Sequence, residues 1–266
     1  AVLLWIPLPR AVMAQGQDIP LRGFQDGINH WQSGHGTDYP RYSPDQYRQI
    51  ADNLVALQRR GGGWSVNQDP QRILDDTART QALADQATPG GSFDNRNVYT
   101  QVAYLGEAFA RSGDARYRDA AVRGLDFILA EQIDSCGGWP HSVPSRTAYH
   151  GHITFADDVT SGVLTTLRRV LREPVFGFVS AGQRARVEAG VGAGDACLLR
   201  QQVRILQHQR PRPPRLTRAE KLTLAVLTAA LVRLAGCPRP SSIAVRSCSS
   251  RTRSSIAPSR PKSRCA

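Results

Sequence analysis

Lysine is nearly missing from this chain: only Lys221 and Lys262 carry it among 266 residues, both in the last quarter. Cysteine occurs five times, with only Cys136 and Cys197 ahead of residue 206. No C-x-x-C or H-E-x-x-H spacing occurs, which removes the common signatures of zinc sites. Cys136 and Cys197 could pair if the chain is exported, or stand as two buried thiols, and the sequence leaves both open. No apolar run reaches the roughly 18 to 20 residues of a bilayer span, so no membrane partner is expected. The Val/Ile/Thr alternation of half-buried strands is nearly absent, which argues against a sheet protein.

Positive charge is abundant, but only at one end. The net charge of +12 would suit a nucleic-acid partner. Residues 206 to 266, however, hold 13 Lys and Arg against one acid, Glu220, which leaves 21 bases and 21 acids in the first 205. The tail has no Phe, Trp, Tyr, Asp or Asn, and one Gly. Apart from one apolar run, Leu222 to Ala235, it lacks the mass to bury a core against its chain entropy. A shift in every residue class at once is what translation in a wrong reading frame produces, and this is the leading expectation for 206–266. The alternative is a basic disordered arm for nucleic acid or an anionic membrane; the lack of stacking aromatics counts against nucleic acid.

The other end, Ala1 to Ala14, reads as the remnant of a secretory signal. Val2-Leu3-Leu4-Trp5-Ile6 forms an apolar stretch, and Ala11-Val12-Met13-Ala14 offers small residues for cleavage. A secreted or periplasmic protein is therefore expected, the alternative being a merely apolar, disordered terminus.

Between these ends the apolar residues recur at helical steps. Tyr47, Ile50, Ala51, Leu54 and Leu57 follow Ser43-Pro44-Asp45, which has the residue types of a helix start, and precede Gly61-Gly62-Gly63. Val102, Leu105 and Phe109 mark a helix from about Val98 to Gly113. Tyr117, Ala121, Leu125, Ile128 and Leu129 mark one that starts near Asp114. Two more cover about Val159 to Leu171 and about Gln183 to Val203. The class is all-α. Leu57-Gln58 with Gly62-Gly63-Trp64 is echoed by Glu131-Gln132 with Gly137-Gly138-Trp139, and Leu199-Arg200-Gln201-Gln202 ends a helix about 70 residues on. Such an echo suggests helical hairpins in a ring or stack.

Several ordered pieces carry a further likeness. Asp38-Tyr39, Arg41-Tyr42, Pro44-Asp45-Gln46 and Ile50-Ala51-Asp52-Asn53-Leu54 come first. Gly62-Gly63-Trp64, Asn67, Asp69-Pro70 and Phe93-Asp94-Asn95 follow, then Gly137-Gly138-Trp139-Pro140 and His152-Ile153-Thr154-Phe155-Ala156-Asp157-Asp158. In this order they resemble the family 10 polysaccharide lyases, which are pectate lyases, and a weaker likeness continues to Ile205. The resemblance implies an incomplete (α/α) toroid over about 15–205 and β-elimination on polygalacturonate as substrate partner, expected of a monomer. It also implies Ca²⁺ as cofactor, with Asp94, Asn95 and Asp157 as its ligands. Asp94 and Asp157 form the acidic catalytic part of the site.

The residue types agree with that chemistry, since uronate charge must be stabilised before C5 can lose a proton, and Ca²⁺ takes oxygen donors. Asp94, Asn95, Asp157 and Asp158 could equally cap the helices that follow them. Asn67, Trp64, Trp139, Arg146, Tyr149, His152 and Asp158 are the substrate-contact candidates. Of these, the tryptophans could stack on sugars or anchor the core, and Arg146 could pair a carboxylate or face water.

The departures from the pattern matter as much. Ser65-Val66 stands where Pro-Lys is frequent, and Ala156 where Asn is usual. Gln101 replaces a frequent acidic residue on the calcium side. The family's base, an arginine in an Arg-x-Tyr-Glu segment, is not found, so impaired catalysis is expected. Calcium-dependent pectate binding without catalysis is the alternative, beside nucleic-acid binding through the tail.

Overall fold

The computed structural model describes residues 18–145, 147 and 149–209, with backbone alone for 203–209. Seven α-helices lie among them: α1 Gln25–His35, α2 Tyr47–Leu57, α3 Asp76–Asp85, α4 Tyr99–Ser112, α5 Ala115–Ala130, α6 Val159–Arg172 and α7 Ala181–Gln209. Strand is confined to β1 Gly91–Ser92 and β2 Ser142–Val143, antiparallel, with Gly91 opposite Val143 and Ser92 opposite Ser142. The fold is all-α. The signal remnant over 1–14, Arg146, and the tail from 210 with its run Leu222–Ala235 fall outside the described residues. Described residues up to Val203 belong to one compact unit, and those from Arg204 to a second.

The helices expected from the apolar spacing form where it places them, with one difference at a start. Asp114 caps α5, its carboxylate accepting from the Arg116 amide at 2.9 Å, while Gly113 ends α4 in the left-handed region at φ 70. Ser43-Pro44-Asp45 does not start α2. It makes a turn, closed by the Gln46 amide on the Ser43 carbonyl at 3.0 Å, and the helix begins after it at Tyr47. Helices α1 and α3 were not visible in the spacing, because α1 buries only Gly27 and Ile28 and α3 only Ala82. So few apolar positions leave no period to read.

Helix α4 is central and packs against α2, α5 and α6. The core around it joins Ile50, Leu54, Leu105, Leu125, Ile128, Leu164 and Leu167. Polar bonds tie α7 on: Gln183 Nε2 donates to Asp126 Oδ1 at 3.1 Å, and Arg184 to the Val170 carbonyl at 2.9 Å.

The echoed segments are equivalent in space as well as in sequence. Trp64 donates its indole N–H to the Leu54 carbonyl of α2, and Trp139 to the Ile128 carbonyl of α5, both at 2.8 Å. Gln58 Nε2 donates to the carbonyls of Gly62 (3.0 Å) and Ala120 in α5 (2.9 Å). Gln132 Nε2 donates to those of Gly137 (2.6 Å) and Gly190 in α7 (2.8 Å). Each unit thus braces its own loop and grips the next long helix. Gly62 (φ 96) and Gly137 (φ 91) are required there: a Cβ would lie 2.2 Å from the Arg123 carbonyl oxygen and 2.4 Å from that of Ala193. Cys136 and Cys197 form a disulfide, Cα atoms 5.4 Å apart, which joins the second loop to α7.

Candidate active site

The chain departs from ordinary backbone in a few neighbouring places. Asn67, Asn95, Arg96, Val98, Asp157 and Asp158 all have positive φ, between 50° and 69°. Side-chain residues rarely adopt this region, Asn and Asp being the most tolerant, and such positions cluster at functional sites. Asn95 and Arg96 of the first unit stand at points equivalent to Asp157 and Asp158 of the second. The Ser92 amide bonds the Trp64 carbonyl (3.2 Å), and the Thr154 amide bonds that of Trp139 (2.9 Å). A Phe follows in each unit, then the strained turn, then α4 or α6.

The 94–98 turn is the hub. Asp94 Oδ2 lies 3.1 Å from His141 Nε2. Asn95 Nδ2 donates to Asn67 Oδ1 at 2.7 Å. Arg96 reaches two acids, Asp158 at 2.8 Å and Asp26 of α1 at 3.3 Å. Asn97, buried, donates to the carbonyls of Trp64 (3.0 Å) and Ser92 (2.7 Å), which locks the turn onto the first unit's loop. Tyr99 then donates to the Asp158 carbonyl at 3.1 Å. Burial, followed by the nearby Asp158 charge, pushes the Tyr99 hydroxyl well above its ordinary value, so it stays protonated and serves as a donor. A cavity of about 650 Å³ runs from Arg96 and Asp158 between α4 and α6, with Tyr99, Tyr104, Thr165 and Arg169 among its walls.

Of the residues chosen from sequence, Asn67, Asp94, Asn95 and Asp158 meet the hub directly, and Asp157 adjoins it. Capping does not account for the acids. The residue before α4 is Val98, and Asp158 precedes α6 without a side-chain capping bond. Trp64 and Trp139 are corrected to core anchors: they are 1% and 0% exposed, and their indole N–H groups are engaged by helix carbonyls. Tyr149 is exposed at 65%, and its ring meets His150 edge-on at 4.2 Å. His152 is half-buried on the same segment, with its amide on the Tyr149 carbonyl at 3.0 Å. Gln101 is buried and its Nε2 donates to Asn97 Oδ1.

Sequence reasoning missed His141, Arg96 and Asn97. Arg96 and Asn97 flanked a chosen motif and could have been taken with it. His141 is brought to Asp94 only by the β1–β2 pairing, which two-residue strands do not announce.

The segment 58–210 matches the family model described as Pectic acid lyase, and the chain belongs to that family. Two matching solved structures are a point mutant of the family 10 polysaccharide lyase from Cellvibrio cellulosa in complex with trigalacturonic acid and the family 10 polysaccharide lyase from Cellvibrio cellulosa. The first is 23% identical with a TM-score of 0.49, the second 24% with 0.47; each match covers 70% of this chain and 53% of that one. This chain thus spans about half the length of the solved proteins it matches. No curated protein matches it.

Whether the residues present fit Ca²⁺ can be tested on their donors. Among the described residues no group of three or more His, Cys, Asp or Glu forms a metal cage. Oxygens are nevertheless at hand. The Asp157 carboxylate has no hydrogen-bond or ion-pair partner among the described residues, and Gln101 Oε1 is buried without one. Gln101 also borders a small void together with Asn67 and Asn95. Oxygen donors of this kind are the type that a hard cation takes.

Proposed function

We propose that this chain binds polygalacturonate through the 94–98 turn in the manner of a calcium-assisted pectate lyase, on hairpins set as an incomplete (α/α) toroid. The observation that carries this reading is the hub itself. Asp26 and Asp158 pair with the Arg96 guanidinium, Asp94 of the same turn pairs with His141, and Asp157 adjoins Asp158, so acids outnumber the one arginine there. A polyanion would be repelled by such a surface unless a cation lay between. Asp94, Asn95 and Asp157 would hold that ion. Bound Ca²⁺ would draw charge from the uronate carboxylate and make the C5 proton acidic.

The chain's own residues have definable parts in this. Arg96, anchored on both sides, keeps the two strained turns in register. Asn67 orients Asn95, and His141 orients Asp94. Elimination moves the C5 proton to a base, forms the C4–C5 double bond and releases the C4 oxygen with its sugar. The base arginine of the Arg-x-Tyr-Glu segment is not found in this sequence, so we propose that ligand binding outlasts turnover here. The disulfide between Cys136 and Cys197 supports an exported protein, since such bonds persist in oxidising compartments.

Two measurements test the reading. Retention of the chain on immobilised polygalacturonate should require Ca²⁺ and vanish with chelator; no retention overturns the function. Ultraviolet absorbance of unsaturated product should stay near background; robust turnover overturns the missing base.

A further inference from the structure

The two units differ in how each holds its strained turn. In the first, Phe93 follows Ser92, whose amide bonds the Trp64 carbonyl. Phe93 is fully buried and stacks on Phe127 of α5, with ring centroids 5.5 Å apart. The tip of the Phe127 ring also lies 3.0 and 3.1 Å from where Cβ atoms on Gly63 and Gly91 would stand. One aromatic pair thereby holds the Gly-Gly-Trp loop, the strand and the start of the 94–98 turn together.

The second unit keeps the same frame without that pair. Gln58 grips the Ala120 carbonyl where Gln132 grips that of Gly190. A Cβ on Gly62 would meet the Arg123 carbonyl where one on Gly137 would meet that of Ala193. In this common register Cys197 falls at the place of Phe127, and Cys136 at the place of Gly61. Phe155, the counterpart of Phe93, is 46% exposed, since position 197 offers it no ring.

What stands there instead is the bond between Cys197 and Cys136, both of them buried. Cys136 opens the loop that carries the second turn. Within that loop the Trp139 carbonyl accepts from the Thr154 amide at 2.9 Å, and Pro140 bridges Ile153. The Trp139 amide donates to Thr160 Oγ1 at 3.4 Å, at the start of α6. The next residue after Pro140 is His141, which meets Asp94.

We infer that the Cys136–Cys197 bond does for the second unit what the Phe93–Phe127 stack does for the first. It positions the Asp157–Asp158 turn, and ligand retention at the site therefore requires the oxidised form. The part that concerns the ligand rests on the polyuronate reading above. Reduction by a dithiol delivers two electrons and two protons to the bridge, leaves a thiol at each position and closes the dithiol into its own disulfide. The loop then keeps its Gln132 brace and loses its covalent tie to α7.

The full chain is compared with Cys136→Ala/Cys197→Ala, which needs no reductant. Amide hydrogen exchange is read at Thr154 and at its counterpart Ser92, alongside Ca²⁺-dependent retention on immobilised polygalacturonate. In the variant, exchange at Thr154 should rise about tenfold more than at Ser92, because the opening is local. Retention should weaken about tenfold, as the turn is no longer held in place. The unaltered chain in dithiothreitol should match the variant on both measures, and dithiothreitol should change nothing further in the variant. An equal rise at Thr154 and Ser92, as a general loss of stability would give, overturns the positioning role, and so does unchanged exchange at both. Full retention by the variant overturns the dependence on oxidation. Failure of the oxidised, unaltered chain to be retained overturns the polyuronate reading, and the exchange comparison still decides the positioning role.

Discussion

Asp157 does two jobs that different substitutions separate. Its φ of 50° demands a residue that tolerates the left-handed region, and its carboxylate, without a partner among the described residues, is the proposed ion ligand. Asp157→Asn keeps the first and removes the second. The expected outcome is an unchanged melting temperature with at least tenfold weaker Ca²⁺-dependent retention on polygalacturonate. Asp157→Ala should also cost about 1 kcal/mol of stability, read from a urea midpoint. The contiguous motifs around Asp94, Asn95 and Asp157 made these residues candidates, and the structure links their two turns through Arg96 and Asp158. His141 was not a candidate, since its meeting with Asp94 is a long-range event fixed by strand register. The burial of Trp64 and Trp139 was left undecided for a related reason: a Gly-Gly-Trp segment looks the same whether its ring turns inward or outward.

At the scale of elements, the helix ends carry the testable differences. Gln58→Ala and Gln132→Ala each remove two bonds to backbone carbonyls and should each cost about 2 kcal/mol. The pair share no partner, so the double variant should come close to the sum in urea unfolding. Glu131 follows α5 at its negative end, and burial raises its pKa above the ordinary Glu value. The folded state therefore holds the proton more tightly than the unfolded one, and that stability is lost as pH rises through the raised value. Solvent on its open side screens the effect. Glu131→Gln should stabilise by about 0.5 kcal/mol at neutral pH, and the gap should close near pH 4. Strongly periodic helices such as α2, α5 and α6 were legible. The polar α1 and α3 were not, because tertiary contact rather than pattern holds them.

Across the whole molecule, the bond between Cys136 and Cys197 closes a span of 61 residues. Constraining the unfolded chain over that span contributes about 4 kcal/mol in the chain-entropy view. A domain of this kind has a total margin of roughly 5 to 15 kcal/mol. Reduction with dithiothreitol should therefore lower the urea midpoint sharply, and an unmoved midpoint would show the link to be dispensable. Repetition was the one large-scale feature visible in advance, through the Gln and Gly-Gly-Trp echoes. The meeting of both strained turns around Arg96 was not, because neither unit records where its neighbour will lie.

The glutamine that clasps its own loop and reaches the following helix has a developmental consequence for the lineage. Because every such latch engages only the module after it, whole modules can be duplicated, trimmed or spliced without unpicking the ones before them. Side chains that meet where two modules abut, as Arg96 and Asp158 do, are then inherited or forfeited as a set.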